Sequence, residues 1–383
     1  MSSTADVLIF VEDPGAARYV APLPAALGAR DLRCRLVAGG AGARVLTQEG
    51  TAFEPYDGGS AEALLAATKP RLLVAGTAEA ADATGLALIG GARARGIVTA
   101  GVVDSPANPE YRFGGHGQAP LAHAPEWILV PDGETRAAFV ALGAPEDRVV
   151  ACGHPGYDTV RARRAALEAR GRQAVRDALW PEAPADRPLL VFLAEISDGP
   201  DPAQYRRGPD YTLEGTSGSD CRTEIVLEEF LHAIAGFNPR PHLILRLHPK
   251  NTAREFDAYR ADLDRMSQAD LIDEVIFAAD LVVGMTSEPM LRAVLLGRPT
   301  LSILPREVER EWLRTIGAGI TPCATRRAEV RHELARALGA PELEPGLVER
   351  WLPAGATARV ADLLEGLLRE GERADERRHA GAL

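Results

Sequence analysis

Lysine is nearly absent: Lys69 and Lys250 are the only two among 383 residues, and arginine carries the remaining positive charge. With 43 basic against 54 acidic residues, the formal net charge is −11. Such a chain repels nucleic acid and anionic membrane surfaces, so neither is expected as a partner, although local basic pockets are allowed. Long hydrophobic runs are missing as well. Runs such as Leu72–Ala75 and Leu189–Ala194 fall far short of the roughly 20 apolar residues a membrane span needs. Met1 to Asp6 carries no basic region, so no secretory leader is expected. Cysteine is scarce, and Cys34, Cys152, Cys221 and Cys323 fit neither a zinc spacing nor a disulfide framework. A reducing, cytoplasmic setting without stable membrane insertion is the expectation.

Several catalytic signatures are also missing. No Gly-x-Gly-x-x-Gly follows the first strand, which removes the fingerprint of a nicotinamide dinucleotide site. No phosphate-binding loop ends in Gly-Lys-Ser/Thr, no Asp-x-Asp pair ends a strand, and no His/Cys cluster has metal spacing. No residue pattern calls for a metal or a separate cofactor.

What is present is an alternation of short apolar runs with helix-length segments. Val7–Val11, Arg33–Ala38, Arg71–Ala75, Val98–Val103, Ile128–Val130 and Val149–Cys152 read as strands of a first half. Leu189–Ala194, Leu243–Leu247, Leu281–Val283 and Thr300–Leu304 read as strands of a second. Continuous rather than alternating apolar strands, separated by helices, mean βαβ units and parallel sheets covered on both faces. At this length two domains are expected. Residues 161–188 are a charged helical stretch running into a proline cluster between Pro181 and Pro188, the composition of a boundary. The division expected is 1–165 for the first domain, 166–188 for a linker and 189–345 for the second domain. Residues 346–370 would be helices free to pack back on the first domain, and 371–383 a charged, frayed tail. The loop from Ser197 to Asp220 reads as long, structureless and functional. No internal repeat of 20–50 residues is visible, yet the halves look like two copies of one architectural idea. A homodimer is allowed.

The polar residues at strand ends are the candidates for chemistry, because open parallel sheets bind ligands there. After the first strand comes Glu12-Asp13-Pro14-Gly15 with Arg18 beyond it. Asp13 or Glu12 can serve as a general base, and Gly15 allows close backbone approach; Asp13 before Pro14 is equally a helix cap. After Val103 comes Asp104, a further candidate base after Asp13 and better placed to orient hydroxyls, then Asn108 and Arg112, suited to sugar hydroxyls or a carboxylate, and Tyr111 as a stacking face, with an Asx-turn as the plain alternative. Cys152-Gly153-His154-Pro155-Gly156 follows the last strand of the first half, where a hinge is as well supported as a contact through His154. In the second half Arg246, His248 and Lys250 surround a His-Pro pair at a strand end. Further on, Thr286-Ser287-Glu288 opens a helix whose free amides and two hydroxyls suit a phosphate. Glu288 opposes that charge unless it turns toward ribose.

The pairing of His248-Pro249 with Thr286-Ser287 resembles the HP and S/T-S motifs of bacterial GT-B enzymes, among them sialyltransferases, Kdo transferases and CDP-glycerol-type polymerases. The Glu12-to-Gly15 loop is similar to that after strand one in lipid A disaccharide synthase, and Ala278–Leu304 to the donor-site strand–helix–strand of the same superfamily. The resemblance implies two doubly wound Rossmann-like domains facing a cleft. It implies a metal-independent transferase moving a sugar from a CMP-, CDP- or UDP-linked donor to a hydroxyl acceptor, with His248, Thr286 and Ser287 on the donor. The nucleotide sugar would be a substrate, not a cofactor. Many of these enzymes carry a glutamate about where Leu291 and Arg292 stand; the positive Arg292 favours a negatively charged sugar. A hydrolysing nucleotide-sugar 2-epimerase shares the fold, although its phosphate helix opens with Ser-Gly-Gly. A third alternative is a non-catalytic protein that binds a nucleotide sugar.

Overall fold

The computed structural model describes residues 4–117, 119–199, 201–340 and 345–380. The chain divides into two compact units, Met1–Thr159 with Ala354–Leu383, and Val160–Pro353.

Among the described residues the first unit carries a seven-stranded parallel sheet. Its strands are β1 (Val7–Val11), β2 (Cys34–Ala38), β3 (Glu54–Pro55), β4 (Leu72–Gly76), β5 (Val98–Val102), β6 (Trp127–Val130) and β7 (Val149–Ala151). Their order is β3-β2-β1-β4-β5-β6-β7. All residues of β1 and β4 are buried, as expected where helices cover both faces. Val7, Ile9 and Val11 enter one core while Leu8 and Phe10 enter the other. The first of these cores includes Val360, Ala361, Leu364 and Leu368 from the helix Ala356–Ala380. Asp158 fixes the start of that helix by accepting the N–H groups of Gly355 and Thr357, each at 2.8 Å. The tail expected at 371–383 is therefore helical as far as Ala380; charge alone does not break a helix, and no proline interrupts this one. Residues 381–383 lie outside the described residues.

The second unit carries a six-stranded parallel sheet among its described residues. Here β8 (Leu189–Leu193), β9 (His242–Arg246), β10 (Arg265–Ser267), β11 (Leu281–Gly284), β12 (Thr300–Ile303) and β13 (Cys323–Ala324) lie in the order β10-β9-β8-β11-β12-β13. In each sheet the strand order reverses once, between β1 and β4 and between β8 and β11. Parallel pairing puts all carboxyl ends of a sheet on one edge, and the reversal opens the crevice in which such sheets bind ligands.

Two further expectations need correction. The supposed linker at 166–188 forms helices Pro155–Arg170 and Arg172–Leu179, joined through Gly171 at φ +86°, and belongs to the second unit. Val175 and Trp180 are fully buried, and Arg176 donates to the Ala278 carbonyl at 2.8 Å and to Asp280 at 2.9 Å. Its charges are paired, so a polar composition concealed a packed element. The Ser197–Asp220 loop is not structureless either. It contains the helix Pro202–Tyr205, and two buried glutamates of helix Arg222–Ile234 hold its far end. Glu229 accepts the Gly215 N–H at 2.9 Å, and Glu228 accepts the Ser217 N–H at 2.9 Å and the Tyr259 hydroxyl at 2.6 Å.

Candidate functional site

At the carboxyl edge of the first sheet, Asp13 is the N-cap of helix Pro14–Val20: its backbone is extended and its Oδ1 accepts the Gly15 N–H at 3.2 Å. Glu12 reaches across to the far side of the crevice, where its Oε1 accepts the N–H of Gly85 in the first turn of helix Thr84–Ala94 at 3.3 Å. Asp104, beyond β5, is buried and accepts from Arg112 Nη1 at 3.3 Å. Burial pushes its carboxyl above the ordinary value; Arg112 opposes that rise, and Asp13 and Glu79 add to it. Gly15 lies against this carboxylate, so the loops after β1 and β5 meet at one point.

Asn108 and Arg112 shape the loop around Asp104. Asn108, at φ +53°, donates to Glu79 at 3.0 Å, while Arg112 grips the Ala107 carbonyl at 3.0 Å and stands 3.6 Å from Glu79. Glu79, three residues past β4, is the acid that the sequence reading passed over; its signal was the same as for Glu12, a carboxylate shortly after a buried apolar run. Arg18 and His154 have partners of their own. Arg18 pairs with Glu49 at 2.9 Å, both side chains under 10% exposed. His154 is packed between Tyr19 and Tyr157, with ring centroids 4.9 and 4.3 Å away. Gly153 (φ +86°) lies against Ala356, so that glycine-rich turn receives the C-terminal helix.

At the carboxyl edge of the second sheet, His248 follows β9. Its Nδ1 accepts the Lys250 N–H at 3.1 Å, which leaves Nε2 as the proton-bearing nitrogen of the neutral ring, a donor. Lys250 is exposed. Arg246 is buried and turns sideways to Ser267 of β10 at 2.9 Å. After β11, Thr286 and Ser287 lead into the helix Glu288–Leu295 with Ser287 at the N-cap. Its side chain makes no cap bond, and Ser287 Oγ is buried with no hydrogen-bond partner among the described residues. Glu288 stands 3.6 Å from Arg292. The charge of Arg292 does not favour a negatively charged sugar: the guanidinium is 1% exposed and donates twice to Asp273, at 2.8 and 2.7 Å.

Beside Thr286 lies a cluster that the sequence did not reveal. Glu195, two residues past β8, accepts the Thr286 N–H at 2.6 Å and Arg222 Nη1 at 2.7 Å. Arg222 Nε donates to both oxygens of Glu309 at 3.1 Å, and Arg306 Nε donates to Glu309 at 2.6 Å. The Trp312 ring lies 5.9 Å from the Arg222 guanidinium and 5.3 Å from that of Arg306. Burial works against the charge on Arg222, but Glu309 and Glu195 outweigh it and raise its pKa. Glu195 carried the same strand-end signal as Glu12; Arg222, inside a helix start, carried none. Among the described residues no group of three or more His, Cys, Asp or Glu side chains could hold a metal ion, and no helix is long and apolar enough to cross a membrane.

Two Rossmann-like units with these strand orders define the GT-B fold class. Comparison with solved structures agrees at the level of fold. The UDP-GlcNAc 2-epimerase from Neisseria meningitidis bound to UDP-GlcNAc matches with a TM-score of 0.65 at 13% identity, over 95% of this chain and 99% of that one. The Methanocaldococcus jannaschii UDP-GlcNAc 2-epimerase in complex with UDP-GlcNAc and UDP matches with a TM-score of 0.66 at 13% identity, over 94% and 99%. The wall teichoic acid polymerase TagF matches with a TM-score of 0.53 at 11% identity, over 97% and 91%. No protein-family model and no curated protein matches the sequence.

Proposed function

We propose that the chain is an enzyme acting on a nucleotide-activated sugar, with the nucleotide phosphates held by the second unit. The observation that carries this reading is Ser287: a buried hydroxyl without a hydrogen-bond partner among the described residues, at the start of a helix and at the crevice edge of a Rossmann-like sheet. An unpaired buried hydroxyl costs about 1–3 kcal/mol, a cost that a bound phosphate oxygen would remove. The first helical amides add donors and a favourable dipole. His248, at the end of β9 with β8 between it and β11, supplies a further donor. The comparison enzymes that bind UDP-GlcNAc share the fold and support the same substrate class. A thermal-shift panel of CMP, CDP, UDP, GDP and ADP tests this, since a ligand that binds the native state raises its apparent stability. One nucleotide stabilising the wild type but not Ser287→Ala is the expected result; no response to any of the five counts against it.

Within this class, transfer to a hydroxyl acceptor is the reading we favour. The buried Asp104, its carboxyl raised and its orientation fixed by Arg112, is suited to take the acceptor proton as the nucleotide leaves. Asp13, already engaged as a cap, would add local charge. No separate cofactor is called on. A hydrolysing 2-epimerase is the second reading, favoured by Glu79, which joins Asp13 and Asp104 to give several acids for elimination and proton transfer. NMR of a reaction with UDP-GlcNAc and no acceptor separates them: free 2-epimer plus UDP supports the epimerase, and sugar loss only with an added hydroxyl acceptor supports transfer.

A further inference from the structure

The reversal of strand order in the second sheet places the ends of β8 and β11 side by side, and a carboxylate bridges them. Glu195 Oε1 takes the Thr286 N–H at 2.6 Å while Oε2 takes Arg222 Nη1 at 2.7 Å. Arg222 is 3% exposed, and its Nη2 also lies 3.5 Å from Thr286 Oγ1. A backbone amide and a guanidinium aimed at one pair of oxygens are the donors that a phosphate seeks. An amide-to-carboxylate bridge also crosses the first sheet's reversal, from Gly85 to Glu12; the second unit adds the buried arginine.

Charge decides what must happen when an anion arrives. Arg222 and Arg306 are balanced by Glu195 and Glu309, so the cluster is neutral as it stands. A phosphate sharing Arg222 with Glu195 would place like charges together in a site largely withdrawn from water. Glu309 is fully buried and engages both arginines, whereas the Glu195 side chain is 13% exposed and engages one. Glu195 is the carboxylate able to leave.

We propose that Glu195 holds the place of the donor phosphate, and that phosphate oxygens replace its carboxylate on the Thr286 amide and on Arg222. This rests on the reading of the Thr286–Ser287 loop as the donor phosphate site. Arg222 then becomes a phosphate-binding residue, and Glu195 a competing anion that keeps the arginine oriented between substrates. A site closed by its own side chain binds ligand more weakly in proportion to its open fraction.

The test uses isothermal titration of the full-length protein with inorganic pyrophosphate and with UDP. Glu195→Gln keeps the shape and an acceptor for Thr286 but loses the charge; it is expected to tighten both probes about ten-fold as the competing anion is removed. Arg222→Lys, which keeps charge but not the fork, is expected to weaken both about ten-fold. Thermal melts check folding, and Glu195→Ser replaces Glu195→Gln should that variant not fold. Unchanged or weaker binding by the charge-free variants overturns the proposal, as does failure of every form to bind either probe. A UDP affinity that survives Ser287→Ala overturns the donor-loop reading itself, which Glu195 does not decide.

Discussion

Asp104 occupies the space that any side chain on residue 15 would need: an ideal Cβ on Gly15 would fall 1.8 Å from Asp104 Oδ2 and 2.6 Å from its Cγ. The glycine after the first strand thus lets an acid from the end of β5 reach the β1 loop. Gly15→Ala must displace that carboxylate and its bond from Arg112. Forcing a methyl into a filled site costs about 1–3 kcal/mol, so chemical denaturation should show a loss of that size. Adding Asp104→Ala should recover most of it, because the clash disappears. Equal destabilisation in the single and double variants would place the strain in the backbone instead.

Replacing Asp104 separates stability from activity. Its raised carboxyl means that the folded environment disfavours the charge, so the stability associated with its proton is complete below the ordinary value of 3.8 and is lost as pH rises through the raised value. Asp104→Asn should therefore melt above the wild type at neutral pH, with the gap closing in acid. Turnover should fall by ~10²–10⁴-fold if this carboxylate is the base. A variant with full turnover moves the chemistry to Asp13, which Asp13→Asn then tests.

Ser287→Ala should act in opposite directions on the free and the liganded protein. Removing a buried hydroxyl without a partner raises the melting temperature of the free form, by an amount worth up to about 1–3 kcal/mol. Losing a hydrogen bond to a charged phosphate weakens nucleotide binding by about ten- to a hundred-fold. A variant less stable in both states would mark the hydroxyl as an ordinary cap.

The loop at residues 213–219 should open in acid. Burial raises the Glu228 carboxyl, but the Ser217 and Tyr259 hydroxyls and the Thr216 and Ser217 amides outweigh it and hold the group below its ordinary 4.5. The stabilisation is present above 4.5 and is lost as pH falls through the depressed value. Limited proteolysis should cut this loop faster in acid than at neutrality, and Glu228→Gln should expose it at neutrality, at a cost of about 1.5–3 kcal/mol for a bond to a charged group.

The sheets could be read because a strand covered on both faces is a local pattern: five buried residues in Val7–Val11 or Leu189–Leu193 suffice. From the strand ends followed the loops holding Asp13, Asp104, His248 and Thr286. The edge strands β3, β10 and β13, two or three residues long, carry no pattern of their own and exist only because a longer neighbour pairs with them. Residues 161–188 read as a boundary because a charged helical stretch runs into a proline cluster, whereas the structure pairs those charges within the second unit, Arg163 with Asp273 and Arg176 with Asp280.

Partnership is what the sequence left open. Arg18, Arg292 and Asn108 looked available for a ligand, yet each has a carboxylate on another segment, at Glu49, Asp273 and Glu79, and Arg112 pairs with Asp104 of its own loop. Glu195 and Thr286 stand 91 residues apart in sequence and 2.6 Å apart in space. Burial is set locally by runs of apolar residues. A buried charge must find its opposite wherever the sheet order brings one, and that order is a property of the whole fold.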